Sequence, residues 1–108
     1  MYSIEEIEKI KDIILKAVDT EQIILFGSYA RGDYKKDSDI DLMVITEQKI
    51  DRKEKNNILD KMAIILFENN LNVDFLIETK EDIEKYRNII GTIIKPALEQ
   101  GEIIWKKN

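Results

Sequence analysis

The fold is decided by residues 22–46, which read QIILFGSYARGDYKKDSDIDLMVIT. The first five residues are rich in β-branched and aromatic side chains, which predicts a buried strand over 22–26. The last eight, 39–46, alternate at first and then become fully apolar, which is typical of a central strand. A helical turn over 28–31 and a polar loop over 33–38 leave no room for a crossover helix. The two strands are therefore predicted to pair antiparallel.

Helices and further strands flank this stretch. The predicted elements are a capped helix over 4–18, a helix over about 51–68, a strand over 72–77, a helix that starts at Glu78 or Thr79 and is kinked or restarted by Pro96, and a terminal strand over 102–105. Their order predicts an α/β (α+β) fold with a small mixed sheet of about four strands packed against helices. A length of 108 residues fits one domain, over residues 1–108.

The charge balance excludes several classes of function. With 17 Lys+Arg against 22 Asp+Glu the net charge is −5, so a general nucleic-acid binder is disfavoured and no direct DNA binding is expected. The chain has no His and no Cys, which excludes imidazole acid–base catalysis, thiol nucleophiles and thiolate metal sites. Catalysis would have to use carboxylates, Lys, Arg, hydroxyl groups, backbone amides or a metal ion.

The N-terminal residues predict no export. The chain is charged from its fifth residue onward, unlike a signal peptide. No apolar run approaches the ~20 residues of a membrane span. We therefore expect a cytoplasmic protein that makes no contact with a membrane.

The residues that could bind a ligand or take part in a reaction are Gly27, Ser28 and three aspartates. A glycine and a serine between a strand and a helical turn can bring backbone amides and a hydroxyl group close to an anion. Asp39 and Asp41 are separated by one residue, so a strand places both carboxylates on one face, where they repel unless a cation lies between them. Asp74 adds a third carboxylate in an apolar strand. Three carboxylates beside a phosphate-binding turn describe a two-metal site for displacement at phosphorus, and oxygen ligands suit Mg²⁺.

Each of these residues also has a structural explanation. Asp39 alone is compatible with a turn or strand start, and Asp41 or Asp74 with a solvent-facing position on a strand. Arg31 is one helical turn from Ser28, where it could reach a phosphate or brace the loop by pairing with a nearby aspartate. The combination of the motifs favours a site more strongly than any one of them.

Two motifs carry a resemblance to a known family. Gly27-Ser28-x-Ala30-Arg31-Gly32, followed by Asp37-Ser38-Asp39-Ile40-Asp41-Leu42, resembles the nucleotidyltransferase superfamily related to DNA polymerase beta. The small size and the C-terminal segment 89–105 resemble the minimal nucleotidyltransferases, the MNT proteins. The resemblance implies a polymerase-beta-like nucleotidyltransferase fold.

The resemblance also implies an activity. In this family Asp39, Asp41 and Asp74 would hold Mg²⁺, with two ions expected, and Gly27 and Ser28 would hold the triphosphate of ATP. Members pair with HEPN-domain ribonuclease toxins and act as antitoxins by transferring AMP from ATP to a tyrosine of the toxin. Two alternatives stay open: a non-catalytic antitoxin that neutralises the toxin by occlusion, and an enzyme with a small-molecule acceptor.

Overall fold

The computed structural model describes residues 2–108. Their helices and strands are α1 (Ile4–Ala17), β1 (Gln22–Phe26), α2 (Gly27–Arg31), β2 (Ile40–Thr46), α3 (Arg52–Glu68), β3 (Val73–Thr79), α4 (Lys80–Tyr86), α5 (Ile94–Gln100) and β4 (Glu102–Lys106). These elements match the predicted order, and Pro96 lies within the first turn of the separate helix α5.

The four strands form one mixed sheet in the order β3-β2-β1-β4. Strand β1 is antiparallel to β2 and to β4, whereas β2 and β3 are parallel. The short link between β1 and β2 reverses the chain, and α3 provides the crossover that parallel neighbours require. The predicted antiparallel pair and the predicted mixed sheet are both confirmed.

Each face of the sheet is covered by a pair of helices. Ile10 of α1 and Met62 of α3 are fully buried with Leu42 of β2 on one face. Ile83 of α4 and Ile94 of α5 are buried with Met43 of β2 on the other face. Because successive strand side chains alternate between faces, the apolar residues 42–45 of β2 supply both cores at once.

Short polar side chains cap the N-termini of three helices, and the start of α1 at a capping box is as predicted. Ser3 forms a complete capping box with Glu6 at the start of α1, and the Asp51 carboxylate accepts a hydrogen bond from the backbone amide of residue 54 at the start of α3. Thr79 accepts one from the backbone amide of residue 82, which starts α4 at one of the two predicted positions. These caps satisfy amides that the first helical turn leaves without partners.

Several apolar side chains of α3 are exposed, whereas apolar residues of a helix are expected to lie in the core. Helical spacing predicts a core-facing apolar stripe made of Ile58, Leu59, Met62, Ile65 and Leu66. Met62 and Leu66 are buried, but Ile65 is 40% exposed. Ile64 and Phe67 are 59% and 81% exposed. The physical reason is that the main neighbours of α3 among the described residues are α1 and β3, which cover one side of a helix that carries apolar residues on two sides.

The longest helix, α3, has 17 residues. Within residues 2–108, no helix combines the length and the apolar composition that crossing a membrane would require.

Candidate active site

The turn between β1 and α2 is a candidate phosphate-binding element. Strand β1 ends at Phe26, and Gly27 begins α2 with a backbone φ of +72°. No side chain caps the first turn of α2, so the amides of this turn are suited to an anionic ligand. Gly32 ends α2 in the left-handed conformation, and its amide donates to the carbonyl oxygen of Ser28 at 2.9 Å.

The sheet brings two of the three predicted aspartates together beside this turn. Asp41 is paired with Phe26 on one side and with Asp74 on the other. Residues paired across parallel strands point to the same face, so Asp41 and Asp74 share a face at the end of the sheet where α2 begins. Asp39 lies one residue before the first residue of β2.

Gly27 and the Asp41 carboxylate are in close contact. A Cβ atom added to Gly27 would lie 2.2 Å from Oδ2 of Asp41, far inside van der Waals distance. The absence of a side chain therefore has two effects at this position: it allows the positive φ, and it lets the backbone of the turn pack directly against a carboxylate.

The electrostatics of Asp41 link the three aspartates. Partial burial raises the pKa of the Asp41 carboxyl, and the negative charges of Asp74 and Asp39 raise it further. The Arg31 guanidinium acts in the opposite direction on the same pKa. A carboxylate whose charge is opposed by burial and by neighbouring carboxylates is stabilised when a divalent cation binds to its oxygen atoms. Among residues 2–108, however, no group of three or more acidic side chains already has a metal-holding arrangement, so the three-aspartate Mg²⁺ site stays a prediction.

Arg31 contacts the loop that follows α2. Its Nε atom lies 3.4 Å from Oδ1 of Asp33, which matches one of the two roles that the sequence left open for it. Ser38, the residue before Asp39, accepts a 2.7 Å hydrogen bond from the amide of Lys35. Both contacts order the loop between the glycine–serine turn and the aspartates.

The tyrosines around α2 pack against one another. The rings of Tyr29 and Tyr34 stack with centroids 4.4 Å apart and planes 5° apart. The Tyr29 hydroxyl accepts a hydrogen bond from the amide of Tyr2, whose own hydroxyl accepts one from the amide of Asn72 at the start of β3. This chain of contacts ties α1, α2 and β3 together around the site.

A hollow beside the aspartates was not foreseen from the sequence. It has a volume of about 230 Å³ and lies between the end of α3 and the start of β3. Its lining residues are Asp39, Ala63, Leu66, Phe67, Leu71, Asn72, Val73 and Asp74. The one sequence signal for it is that Phe67 falls outside the predicted apolar stripe of α3, so it had no predicted place in the core.

The chain matches a family of known enzymes. Residues 7–99 match the family model described as "Nucleotidyltransferase domain". A Methanocaldococcus jannaschii protein named "Putative protein adenylyltransferase" is 31% identical over 85 residues, which cover 79% of this chain and 78% of that protein. The chain therefore belongs to the nucleotidyltransferase domain family, and its members are nucleotide-transferring enzymes.

Solved structures share the fold. One is a toxin–antitoxin complex with AMP-PNP, with a TM-score of 0.64, 24% identity, and coverage of 94% of this chain and 73% of that chain. Another is a tri-AMPylated HEPN toxin of Shewanella oneidensis in complex with its MNT antitoxin, with a TM-score of 0.58, 22% identity, and coverage of 93% and 69%. At these identities the likeness is one of fold, and it confirms the expected nucleotidyltransferase fold.

Replacing Asp41 with asparagine should stabilise the protein in metal-free buffer at neutral pH. The folded state raises the pKa of Asp41 above its ordinary value of 3.8, so ionisation of this group opposes folding. The penalty is absent at pH 3, where the carboxyl is protonated in both states, and is complete once the pH exceeds the folded-state pKa. We expect Asp41→Asn to unfold at higher urea concentration than wild type at pH 7 and at equal concentration at pH 3. The gain should be below about 1 kcal/mol, because the group is partly solvated.

Asp37→Asn is the matched control, since it removes the same charge from an exposed position two residues before Asp39. Equal stabilisation by both variants at pH 7 would assign the effect to net charge. A less stable Asp41→Asn at pH 7 would contradict the predicted repulsion.

Proposed function

We propose that this protein is a Mg²⁺-dependent protein adenylyltransferase that transfers AMP from ATP to a hydroxyl group of a partner protein. The observation that carries the proposal is the packing of Asp41 against Gly27, with Asp74 in register beside it. A turn suited to phosphate therefore adjoins a pair of carboxylates suited to metal ions. Membership of the nucleotidyltransferase domain family and the name of the M. jannaschii relative support the proposal.

The proposed reaction is an in-line displacement at the α-phosphorus of ATP. The acceptor oxygen forms a bond to that phosphorus, the bond to the bridging α–β oxygen breaks, and pyrophosphate leaves. The proton of the acceptor hydroxyl passes to a base. The absence of histidine leaves a carboxylate as the candidate base, and Asp74, which is exposed at the start of β3, is the residue we assign to this role.

The residues of the turn have a positioning role in this proposal. Amides at the start of α2 and the Ser28 hydroxyl would bind the triphosphate, and Arg31 would add positive charge nearby. Asp39, Asp41 and Asp74 would hold Mg²⁺, two ions by the family resemblance. When bound, such ions orient the phosphate and offset the charge that develops during transfer.

A HEPN ribonuclease toxin is the partner that we propose. The support is that one solved structure of the same fold contains a tri-AMPylated HEPN toxin with its MNT antitoxin. Transfer to a tyrosine of the toxin would add bulk and negative charge, which disfavours RNA binding if the tyrosine lies near the ribonuclease site. The protein would thereby act as an antitoxin, and a cytoplasmic location, where ATP is available, is part of the same proposal.

Neutralisation by occlusion and transfer to a small molecule are the competing functions. Occlusion alone would give no use for a partly buried Asp41 whose charge is opposed by Asp74 and Asp39, at a cost to stability. For the small-molecule alternative, the hollow of about 230 Å³ beside the aspartates is smaller than the roughly 300–1,000 Å³ of ordinary ligand pockets. Both considerations favour a protein acceptor.

The decisive experiment measures the mass of the partner. Purified protein, ATP, Mg²⁺ and a candidate HEPN-domain partner are incubated together, and the mass of the partner is measured by intact-protein mass spectrometry. We expect a mass increase of one or more AMP units with wild type and none with Asp41→Asn, although both form the complex. If both variants protect cells from the partner while its mass stays unchanged, occlusion is the function and adenylylation is wrong.

A further inference from the structure

Tyr2 joins the two halves of the candidate site, although it is distant from both in the sequence. Its backbone amide donates a 3.2 Å hydrogen bond to the Tyr29 hydroxyl, and its own hydroxyl accepts one of 2.8 Å from the amide of Asn72. The rings of Tyr2 and Tyr29 also lie side by side, with centroids 6.0 Å apart. Tyr2 therefore connects α2, which begins at the candidate phosphate-binding turn, to the residue that precedes β3.

Asn72 continues this connection to the aspartates through its backbone. Its carbonyl oxygen accepts a 3.2 Å hydrogen bond from the amide of Ile40, the residue between Asp39 and Asp41. Asp74 follows Asn72 by two residues along the chain. The start of the parallel β2–β3 ladder, where the aspartates lie, is thus held at Asn72.

The contacts around the site form a closed ring. The sheet links the turn to Asp74 by way of β1, β2 and β3, in that order, and the path through Tyr2 connects the same two ends by a second route. Two routes restrict the movement of the turn relative to the strands more than one route does. Tyr2 is itself anchored, since it directly precedes Ser3, the N-cap of α1, whose Ile10 and Ile14 are fully buried.

We propose that Tyr2 is a positioning residue that fixes the distance between the Gly27–Ser28 turn and the carboxylates. The inference rests on the proposed function, because this distance affects a reaction only if one nucleotide contacts both elements. Tyr2 acts through α2 and through the strands, without touching the reacting atoms. A misplacement of about 1 Å can reduce the rate of a reaction by about 10²-fold, so a hydroxyl group outside the site can affect the transfer.

Two variants each break one of the two hydrogen bonds and keep the aromatic ring. Tyr2→Phe removes the acceptor of the Asn72 amide, and Tyr29→Phe removes the acceptor of the Tyr2 amide. We expect either variant to lower kcat for AMP transfer to a candidate HEPN-domain partner about fivefold, which is the effect of one hydrogen bond. The KM for ATP should change less than about twofold, since the groups that would bind ATP are intact.

The double variant tests whether the two bonds act in series. If they form one connection, breaking either bond interrupts it, and Tyr2→Phe with Tyr29→Phe should lose no more kcat than either single variant. Independent contributions would multiply instead, to a loss of about 25-fold.

A second measurement does not depend on catalysis. In spectra of the ¹⁵N-labelled protein, each variant should shift amide signals at the opposite end of the connection. We expect Tyr29→Phe to shift the signals of Asn72 and Asp74, and Tyr2→Phe to shift the signal of Ser28.

Thr79→Ala is the control for stability. Thr79 caps α4 at the opposite end of β3, where its side chain accepts a hydrogen bond from the amide of Asp82. Its removal should destabilise the fold, as the loss of a helix cap does, and leave kcat unchanged. Urea unfolding establishes that every variant is folded under the assay conditions.

The outcomes separate the positioning role from the proposed function. Unchanged kcat in Tyr2→Phe, multiplied losses in the double variant, or an equal loss of kcat in Thr79→Ala would each overturn the positioning role while adenylylation stands. If wild type transfers no AMP, adenylylation is wrong, and the amide shifts then decide whether Tyr2 couples the turn to the aspartates. Shifts confined to the residues that contact the altered side chain would overturn that coupling.

Discussion

Replacing Asp39 and Asp41 together with asparagine should abolish Mg²⁺-dependent ATP binding and reduce AMP transfer by about 10³-fold or more. The variant keeps the shape of both side chains but removes two of the three charges that would hold the metal ions. Mutational losses of one electrostatic contact at an active site reach 10²–10³-fold, and here two charges are lost. Titration calorimetry with ATP, in the presence of Mg²⁺ and then of EDTA, measures the binding.

The matched control for this double variant is Asp37→Asn with Asp60→Asn. It removes two carboxylates from exposed positions, one in the loop before Asp39 and one on α3, and keeps the aspartates of the site and the Asp33 partner of Arg31. We expect this control to bind ATP as wild type does, because exposed charges outside the site contribute little at physiological salt. Equal ATP binding by wild type and the Asp39/Asp41 variant would show that these aspartates are not metal ligands.

Replacing Gly27 with alanine should produce the second large effect, on both stability and nucleotide binding. The new Cβ would lie 2.2 Å from the Asp41 carboxylate, on a backbone whose φ of +72° disfavours any side chain. We expect a loss of about 2–3 kcal/mol in the free energy of unfolding. We expect AMP transfer to fall at least about 100-fold in the folded protein, because the carboxylate and the turn must move apart.

Two further variants separate strain from the contact with Asp41. Gly32→Ala also places alanine at a positive φ, of +84°, but its Cβ would meet no atom within 4 Å, so it should lose only about 1 kcal/mol and keep its activity. In a Gly27→Ala protein, the added change Asp41→Ala should recover part of the lost stability by removing the clash. If Gly27→Ala and Gly32→Ala have equal stability and equal ATP binding, Gly27 is a structural turn residue only.

The strand and helix pattern could be predicted because local signals agree with one another. Ser3, Asp51 and Thr79 each start a helix by a short-range hydrogen bond that depends on a few adjacent residues. The antiparallel pairing of β1 and β2 follows from a connection too short for anything else. Such features depend on adjacent residues and not on residues that are far away in the sequence.

The candidate site was predictable in composition and less so in geometry. The spacing of Asp39 and Asp41 and the sequence Gly27-Ser28 indicate a phosphate-binding turn beside a pair of carboxylates. The contact between Gly27 and Asp41 depends on the register of β1 with β2. A shift by one residue would reverse the face on which the carboxylate lies.

The sequence by itself determined the element order, the mixed sheet and the residues that carry the chemistry, because each follows from local periodicity, capping or spacing. Only the tertiary structure decided which partners those residues meet. The parallel register placed Asp74 beside Asp41, and the packing of α3 against α1 and the sheet left Phe67 exposed next to the aspartates. The physical reason is that the apolar pattern of a helix shows which of its side chains could be buried. Which of them are buried depends on the neighbouring elements that the whole fold packs against the helix.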